Sequence, residues 1–165
     1  DISAIDKIYE RIHTAQEKGT IHTGWIRGIY PTKSTAESAL IRNDLFVEET
    51  DGKIIGAAII NQIQAAVYKK VSWQYECSDR EIMVLHTLVI DPDIKGSGFG
   101  RSFVAYYEKY AKEHGCHYLR LDTNELNVAA RKFYKKLNYS EVDTISCLFN
   151  GIPNVKLVML EKKLD

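Results

Sequence analysis

One stretch constrains this chain more than any other: an apolar run, a glycine-rich turn and an amphipathic pattern follow one another without interruption. Ile82 to Ile90 is apolar on both sides, as a strand buried on two faces must be, and Pro92 ends it. Phe99, Phe103, Tyr107, Tyr110 and His114 then fall on one face of a helix, which Gly115 closes. Between them, Gly96, Gly98 and Gly100 let the backbone bend sharply and let a ligand approach its amides. Those amides precede a helix, where unpaired N–H groups and the helix dipole favour an anion, and Lys95 and Arg101 add positive charge. The turn suits a phosphate or pyrophosphate. The GxxxxGK[ST] pattern of NTPases is absent. Gly96 and Gly98 fit the first two positions of a dinucleotide fingerprint and Asp122 ends the next strand, but Arg101 occupies the third glycine position and Asp91 to Lys95 separate strand from glycines.

The rest of the chain arranges itself around this unit. Ile5, Ile8, Tyr9 and Ile12 predict a helix over residues 3–17, and a second is expected over 34–42, capped by Ser34 or Thr35. Leu45 to Glu49 and Lys53 to Asn61 read as a hairpin about Asp51-Gly52. Residues 64–78 carry no clear period. Tyr118 to Asp122 is a strand, Val128 to Leu137 a helix with Asn127 as N-cap, and Tyr139 to Cys147 with Val155 to Glu161 two closing strands about Asn150-Gly151. The expected fold is α/β (an α+β mixed sheet): a mostly antiparallel sheet with a right-handed parallel crossover and flanking helices, as one domain over residues 1–165. An edge strand would normally precede the first helix, so chain upstream of Asp1 is expected.

Composition narrows the function. Lys plus Arg and Asp plus Glu both number 22, which disfavours nucleic acid; Lys132, Lys135 and Lys136 read as the solvated face of a helix. Cys77, Cys116 and Cys147 are scattered, so neither a disulfide framework nor a metal site is expected. No apolar run reaches membrane-spanning length, and a cytoplasmic protein is expected.

From Leu85 to Tyr139 the chain resembles the GNAT superfamily of N-acetyltransferases. The resemblance is carried by Leu88 to Pro92, by Lys95 to Phe103 and by Asn127 to Tyr139, at suitable spacing. Lys95, Gly98 and Gly100 stand where the family usually has arginine or glutamine and two glycines; lysine keeps the charge but loses a planar hydrogen-bonding group. The resemblance implies acetyl-CoA as acyl donor. Backbone groups of Leu88, Val89 and Ile90 would pair with the pantetheine arm as an added strand does. Amides from Gly96 through Ser97, Gly98, Phe99 and Gly100 to Arg101 would hold the pyrophosphate. Asn127 would bond to the pantetheine region, and Tyr134 would protonate the leaving thiolate. An acceptor amine would attack the thioester directly, with a strand N–H near Leu88 stabilising the oxyanion. His86 is the candidate base, with Glu81 and Glu125 as alternatives. The acceptor, a small molecule or peptide amine, would meet Trp25, Tyr30, Trp73, Tyr75 and Glu76. The other reading is a CoA-binding sensor or interaction module of the same fold without turnover. A homodimer is a common arrangement in the resembled family.

Overall fold

In the computed structural model, residues 1–94 and 98–165 are described; Lys95, Gly96 and Ser97 of the glycine-rich turn lie outside the described residues. The elements run α1 (Ile2–Glu17), α2 (Lys33–Ile41), β1 (Leu45–Thr50), β2 (Lys53–Asn61), β3 (Ile82–Ile90), α3 (Phe99–Glu113), β4 (Tyr118–Asn124), α4 (Val128–Lys136), β5 (Ser140–Phe149) and β6 (Ile152–Lys163). Both predicted hairpin turns form as their residues require: Asp51 and Gly52, and Asn150 and Gly151, all have positive φ, which Asn, Asp and Gly tolerate and the two-residue turn demands. The second helix starts earlier than its sequence suggests. Thr32, not Ser34 or Thr35, is its N-cap, and the Thr32 N–H donates to Thr35 Oγ1 at 3.0 Å. Residues 64–78, which show no period, hold a short 3₁₀ turn, Ala66–Lys70.

The strands form a mixed sheet in the order β1-β2-β3-β4-β6-β5. Its parallel pair is β3 with β4, joined by the crossover through α3; the other neighbours are antiparallel. On one face, α3 and α4 cover Met83, Leu85, Leu119, Leu121, Val158 and Leu160 with Phe103, Val104, Tyr107 and Tyr134. On the other, α1 buries Ile5, Ile8, Tyr9 and Ile12 against Ala57 and Val89, while Tyr68 covers Ile82, Val84, Leu157 and Met159.

Two features of β3 open the sheet. Pairing with β4 covers only Ile82, Met83 and Val84 against Tyr118, Leu119 and Arg120, although both strands run on. Against β2, the register slips: Ala57 opposes Val89 but Ile59 opposes His86, so β3 carries one extra residue there. Thr87 sits in that bulge with φ of 51°, which is strained for a β-branched residue. The result is a wedge-shaped opening between the C-terminal halves of two neighbouring strands.

Candidate active site

The opening holds a cavity of about 560 Å³, walled by Leu88, Val89 and Ile90 of β3 on one side and by Asn127, Phe133 and Tyr134 at and in α4 on the other. Beyond Val84, β3 has no pairing partner on its β4 side among the described residues, so an extended ligand could add to it as a strand would. Asn127 caps α4, its Oδ1 accepting from Ala130 N–H at 3.1 Å. Tyr134 is 7% exposed, and burial, then the charge of Asp122, hold its phenol well above the ordinary tyrosine range. Its hydroxyl has no hydrogen-bond partner among the described residues. A phenol in that state stays protonated at neutral pH and can donate.

At the outer end of the cleft, Gly98 caps α3 with φ of 75°, and the first intrahelical bond is Ser102 N–H to Gly98 O at 3.0 Å. The N–H groups of Phe99, Gly100 and Arg101 therefore precede the helical ladder and have no partner among the described residues, a position that suits an anion. A β-carbon on Gly100 would lie 3.5 Å from the Phe133 ring, an ordinary van der Waals contact, so α3 and α4 meet closely at this position. Gly98, Phe99, Gly100 and Arg101 share a surface groove of about 560 Å³ with Lys132 and Lys136. The sequence reads these lysines as a solvated face. They are exposed, but they stand beside the helix N-terminus, and their i, i+4 spacing is the signal that could have paired them with it.

A second cavity of about 400 Å³ opens on the other side of β3. Trp25, Tyr30 and Phe149 give it aromatic walls, and Ser38, Arg42, Asn61 and His86 give it polar ones. The Tyr30 hydroxyl bonds to Thr87 Oγ1, and burial pushes the phenol up to about 12. Trp25 and Tyr30, two of the aromatics that the sequence singles out for an acceptor, line this cavity. Trp73 and Tyr75 do not line this cavity: Trp73 packs against Tyr68 and under Arg120, and Tyr75 packs against Tyr118, while Glu76 is exposed.

His86 lies in this second cavity, not in the cleft with Tyr134. Its Nε2 is 3.1 Å from the Ile63 carbonyl and 3.2 Å from Asn61 Oδ1, so Nε2 carries the proton and donates. Burial lowers its pKa to about 4, which leaves it neutral at pH 7 but a weak base. Glu81 accepts from Ser78 N–H at 3.1 Å as a cap, and Glu125 pairs with Lys156 at 3.3 Å. Asp122 is the group whose role the sequence does not show. It lines both the cleft and the second cavity, its Oδ2 accepts from the Tyr68 hydroxyl at 2.8 Å, and burial raises its pKa to about 6 against the opposing effect of that hydrogen bond.

Among the described residues no cluster of three His, Cys, Asp or Glu side chains is placed to hold a metal ion, and no helix is long and apolar enough to cross a membrane.

Known proteins match this architecture. Residues 7–139 match the model of the acetyltransferase (GNAT) family. An uncharacterised N-acetyltransferase of Methanocaldococcus jannaschii is 28% identical over 100 residues, which span 61% of this chain and 40% of that relative. The fold is shared with an acetyltransferase of the GNAT family from Streptococcus agalactiae, at a TM-score of 0.77 and 19% identity over 96% of this chain and 86% of that one. It is shared also with a Salmonella typhimurium protein solved with its cofactor acetyl-CoA, at a TM-score of 0.64 and 15% identity over 100% of this chain and 91% of that one. With its glycine-capped helix α3, its split parallel pair and its Tyr134-lined cleft, the chain belongs to the GNAT family of acetyltransferases, whose acyl donor is acetyl-CoA.

Proposed function

We propose that residues 1–165 act as a single N-acetyltransferase domain that moves the acetyl group of acetyl-CoA to a primary amine of a small molecule or peptide. The observation that carries this reading is the meeting of two cavities at the split between β3 and β4, one suited to each substrate. Acetyl-CoA supplies a thioester carbonyl, at which a C–N bond forms as the C–S bond breaks. The chain's own groups fit the donor along its length. The helix-head amides of Phe99, Gly100 and Arg101, with Lys132 and Lys136 beside them, suit the phosphates. The open edge of Leu88, Val89 and Ile90 suits the pantetheine amides, and a strand N–H near Leu88 suits the developing oxyanion. Asn127 closes the cleft's far wall. Lys95, Gly96 and Ser97 complete the phosphate turn in this reading. Tyr134 gives its proton to the departing sulfur and regains one from the amide nitrogen, so no net charge is left in the cleft. His86 walls the acceptor cavity and, on the sequence argument, is a candidate base.

A thermal-shift titration tests this, because a ligand bound only by the folded state raises the melting temperature. Acetyl-CoA and CoA are expected to raise it selectively over NADH and ATP, and a panel of primary amines is then expected to release free thiol from acetyl-CoA. A shift without thiol release for any amine would instead mark a CoA-binding module. No shift with either thioester or thiol would remove the acetyltransferase reading.

A further inference from the structure

The second cavity carries two charges of opposite sign. Of its lining residues, Arg42 and Asp122 are ionised at neutral pH, while His86, depressed to about 4, is neutral. The two charges belong to opposite sides of β3: Arg42 is the C-cap of α2 and is tied to β2 through Asp44 and Asn61, whereas Asp122 is on β4. We propose that the acceptor is an amino acid, a molecule with both a primary amine and a carboxylate, and that Arg42 binds the carboxylate; this rests on the acetyltransferase reading above.

The guanidinium is built into its place. Its Nε and Nη2 donate to the two oxygens of Asp44 at 2.9 and 3.1 Å. Asp44 is 7% exposed, and its Oδ2 also accepts from Asn61 Nδ2 at 2.7 Å. Asn61 is fixed in turn, its Oδ1 accepting from Ile63 N–H at 2.9 Å and from His86 Nε2 at 3.2 Å. This chain of bonds from β3 through β2 orders the arginine in advance, so less side-chain entropy is lost when it binds. A guanidinium has two edges that match a carboxylate, and Asp44 occupies the one formed by Nε and Nη2. On the other edge, Nη1 has no partner among the described residues, and the Arg42 side chain is 42% exposed. That edge can take a second carboxylate through two parallel N–H···O bonds.

The rest of the wall fits the same class of molecule. Thr35 and Ser38, seven and four residues before Arg42, share its helix face and line the cavity, and the Ser38 hydroxyl has no partner among the described residues. Trp25, Tyr30 and Phe149 give aromatic surface for an apolar body. The negative charge of Asp122 complements a cationic amine at the other side of β3. Asp44 offsets part of the Arg42 charge, so recognition rests on the directed bonds of the open edge more than on net charge.

Pairs of acceptors that differ by a carboxylate alone test this on the full chain: phenylalanine with phenethylamine, and 6-aminohexanoate with pentylamine. The two acids set the amine close to the carboxylate and far from it. In wild type, at least one acid is expected to be acetylated with a kcat/KM about tenfold or more above that of its partner amine. Arg42→Gln is expected to raise KM for that acid about 10- to 100-fold with little change in kcat, and to alter transfer to the partner amine much less. Arg42→Lys keeps a counter-charge for Asp44 but loses the open edge, so it is expected to stay folded and to lose most of the preference. A preference for the acid that survives both variants, or a wild type that uses the plain amines as well as the acids, overturns the proposal. An equal fall with acid and amine would make Arg42 a brace for Asp44 and overturn it too. If wild type acetylates none of the four, 3-phenylpropanoate, a carboxylate without an amine, decides. It is expected to raise the melting temperature of the acetyl-CoA complex in wild type and not in Arg42→Gln, and no rise in wild type overturns the proposal. Absence of the acetyl-CoA shift itself in wild type would instead sink the acetyltransferase reading.

Discussion

Arg120 and Asp122 are two residues apart on β4 and project from the same face of the sheet, yet the protein treats their charges in opposite ways. Arg120 lies at the end where β3 and β4 are paired. Its Nε donates to Glu161 at 3.0 Å, its other nitrogens reach Gln64 Oε1 and the Tyr75 carbonyl, and its guanidinium covers the Trp73 ring at 4.2 Å. Glu161 in turn accepts from the N–H groups of Gln74 and Tyr75, at 2.8 and 3.2 Å. Both charges are fully compensated, and the network ties the loop before β3 onto the sheet. Asp122 lies where the strands part, and among the described residues a single hydroxyl, that of Tyr68, is its side-chain partner. A buried charge that is saturated with bonds holds structure; one that is left short of them is available for chemistry.

The largest effect should separate these two ends by stability. Glu161→Gln leaves Arg120 buried without its counter-charge and is expected to cost about 3–5 kcal/mol in urea unfolding. Asp122→Asn keeps an acceptor for Tyr68 and removes an unpaired charge, so at pH 7 it is expected to leave stability unchanged or raise it. A comparable loss in both variants would erase the distinction.

The pH dependence of stability sharpens the contrast within the site itself. Asp122 titrates near 6 in the folded protein against about 3.9 in an unfolded chain, so the folded state binds the extra proton between those values. Its contribution therefore falls as pH rises through that window. His86 is depressed to about 4 from its ordinary 6.5, so the unfolded chain binds the extra proton and the His86 contribution rises over nearly the same window. Each is worth on the order of 3 kcal/mol, and they oppose each other. Relative to wild type, Asp122→Asn should gain stability from about pH 4 to about pH 6.5, and His86→Gln should lose it. Urea titrations at a series of pH values would show the two variants diverging; parallel curves would mean that neither environment is as described.

Tyr134→Phe should slow acetyl transfer about 10²-fold while changing acetyl-CoA affinity little, since the phenol acts on the departing sulfur and not in holding the donor. The smallest expected effect is at the groove rim. Lys132→Ala with Lys136→Ala should weaken acetyl-CoA binding about tenfold at low salt and less at high salt, because exposed cations are screened. A loss independent of salt would point to a structural role for these lysines.

What was legible in the sequence is what is local in the chain. The strand, turn and helix from Ile82 to Gly115, the Asn127 cap and both hairpin turns follow from residue types within a few positions of one another. Thr87 has nothing in its neighbours to announce a bulge; its conformation is fixed by the offset of β2 against β3. Asp122 is one more acidic residue at a strand end until Tyr68, 54 residues earlier, and the parting of β3 from β4 give it its environment. His86 drew notice because histidine titrates near neutrality, but burial takes it out of that range, against the opposing effect of its bond to the Ile63 carbonyl. Trp73 and Tyr75 looked like pocket aromatics because the sequence cannot tell a ring that lines a cavity from one that covers Arg120.

If the half of β3 left unpaired to β4 and the head of α3 receive the acyl donor, hydrogen exchange with and without acetyl-CoA will register it at those amides. New protection is expected at the amides of Leu88 to Ile90 and of Phe99 to Arg101, with Ile82 to Val84, already paired to β4, unchanged. Protection elsewhere, or none at β3 under saturating acetyl-CoA, would contradict it.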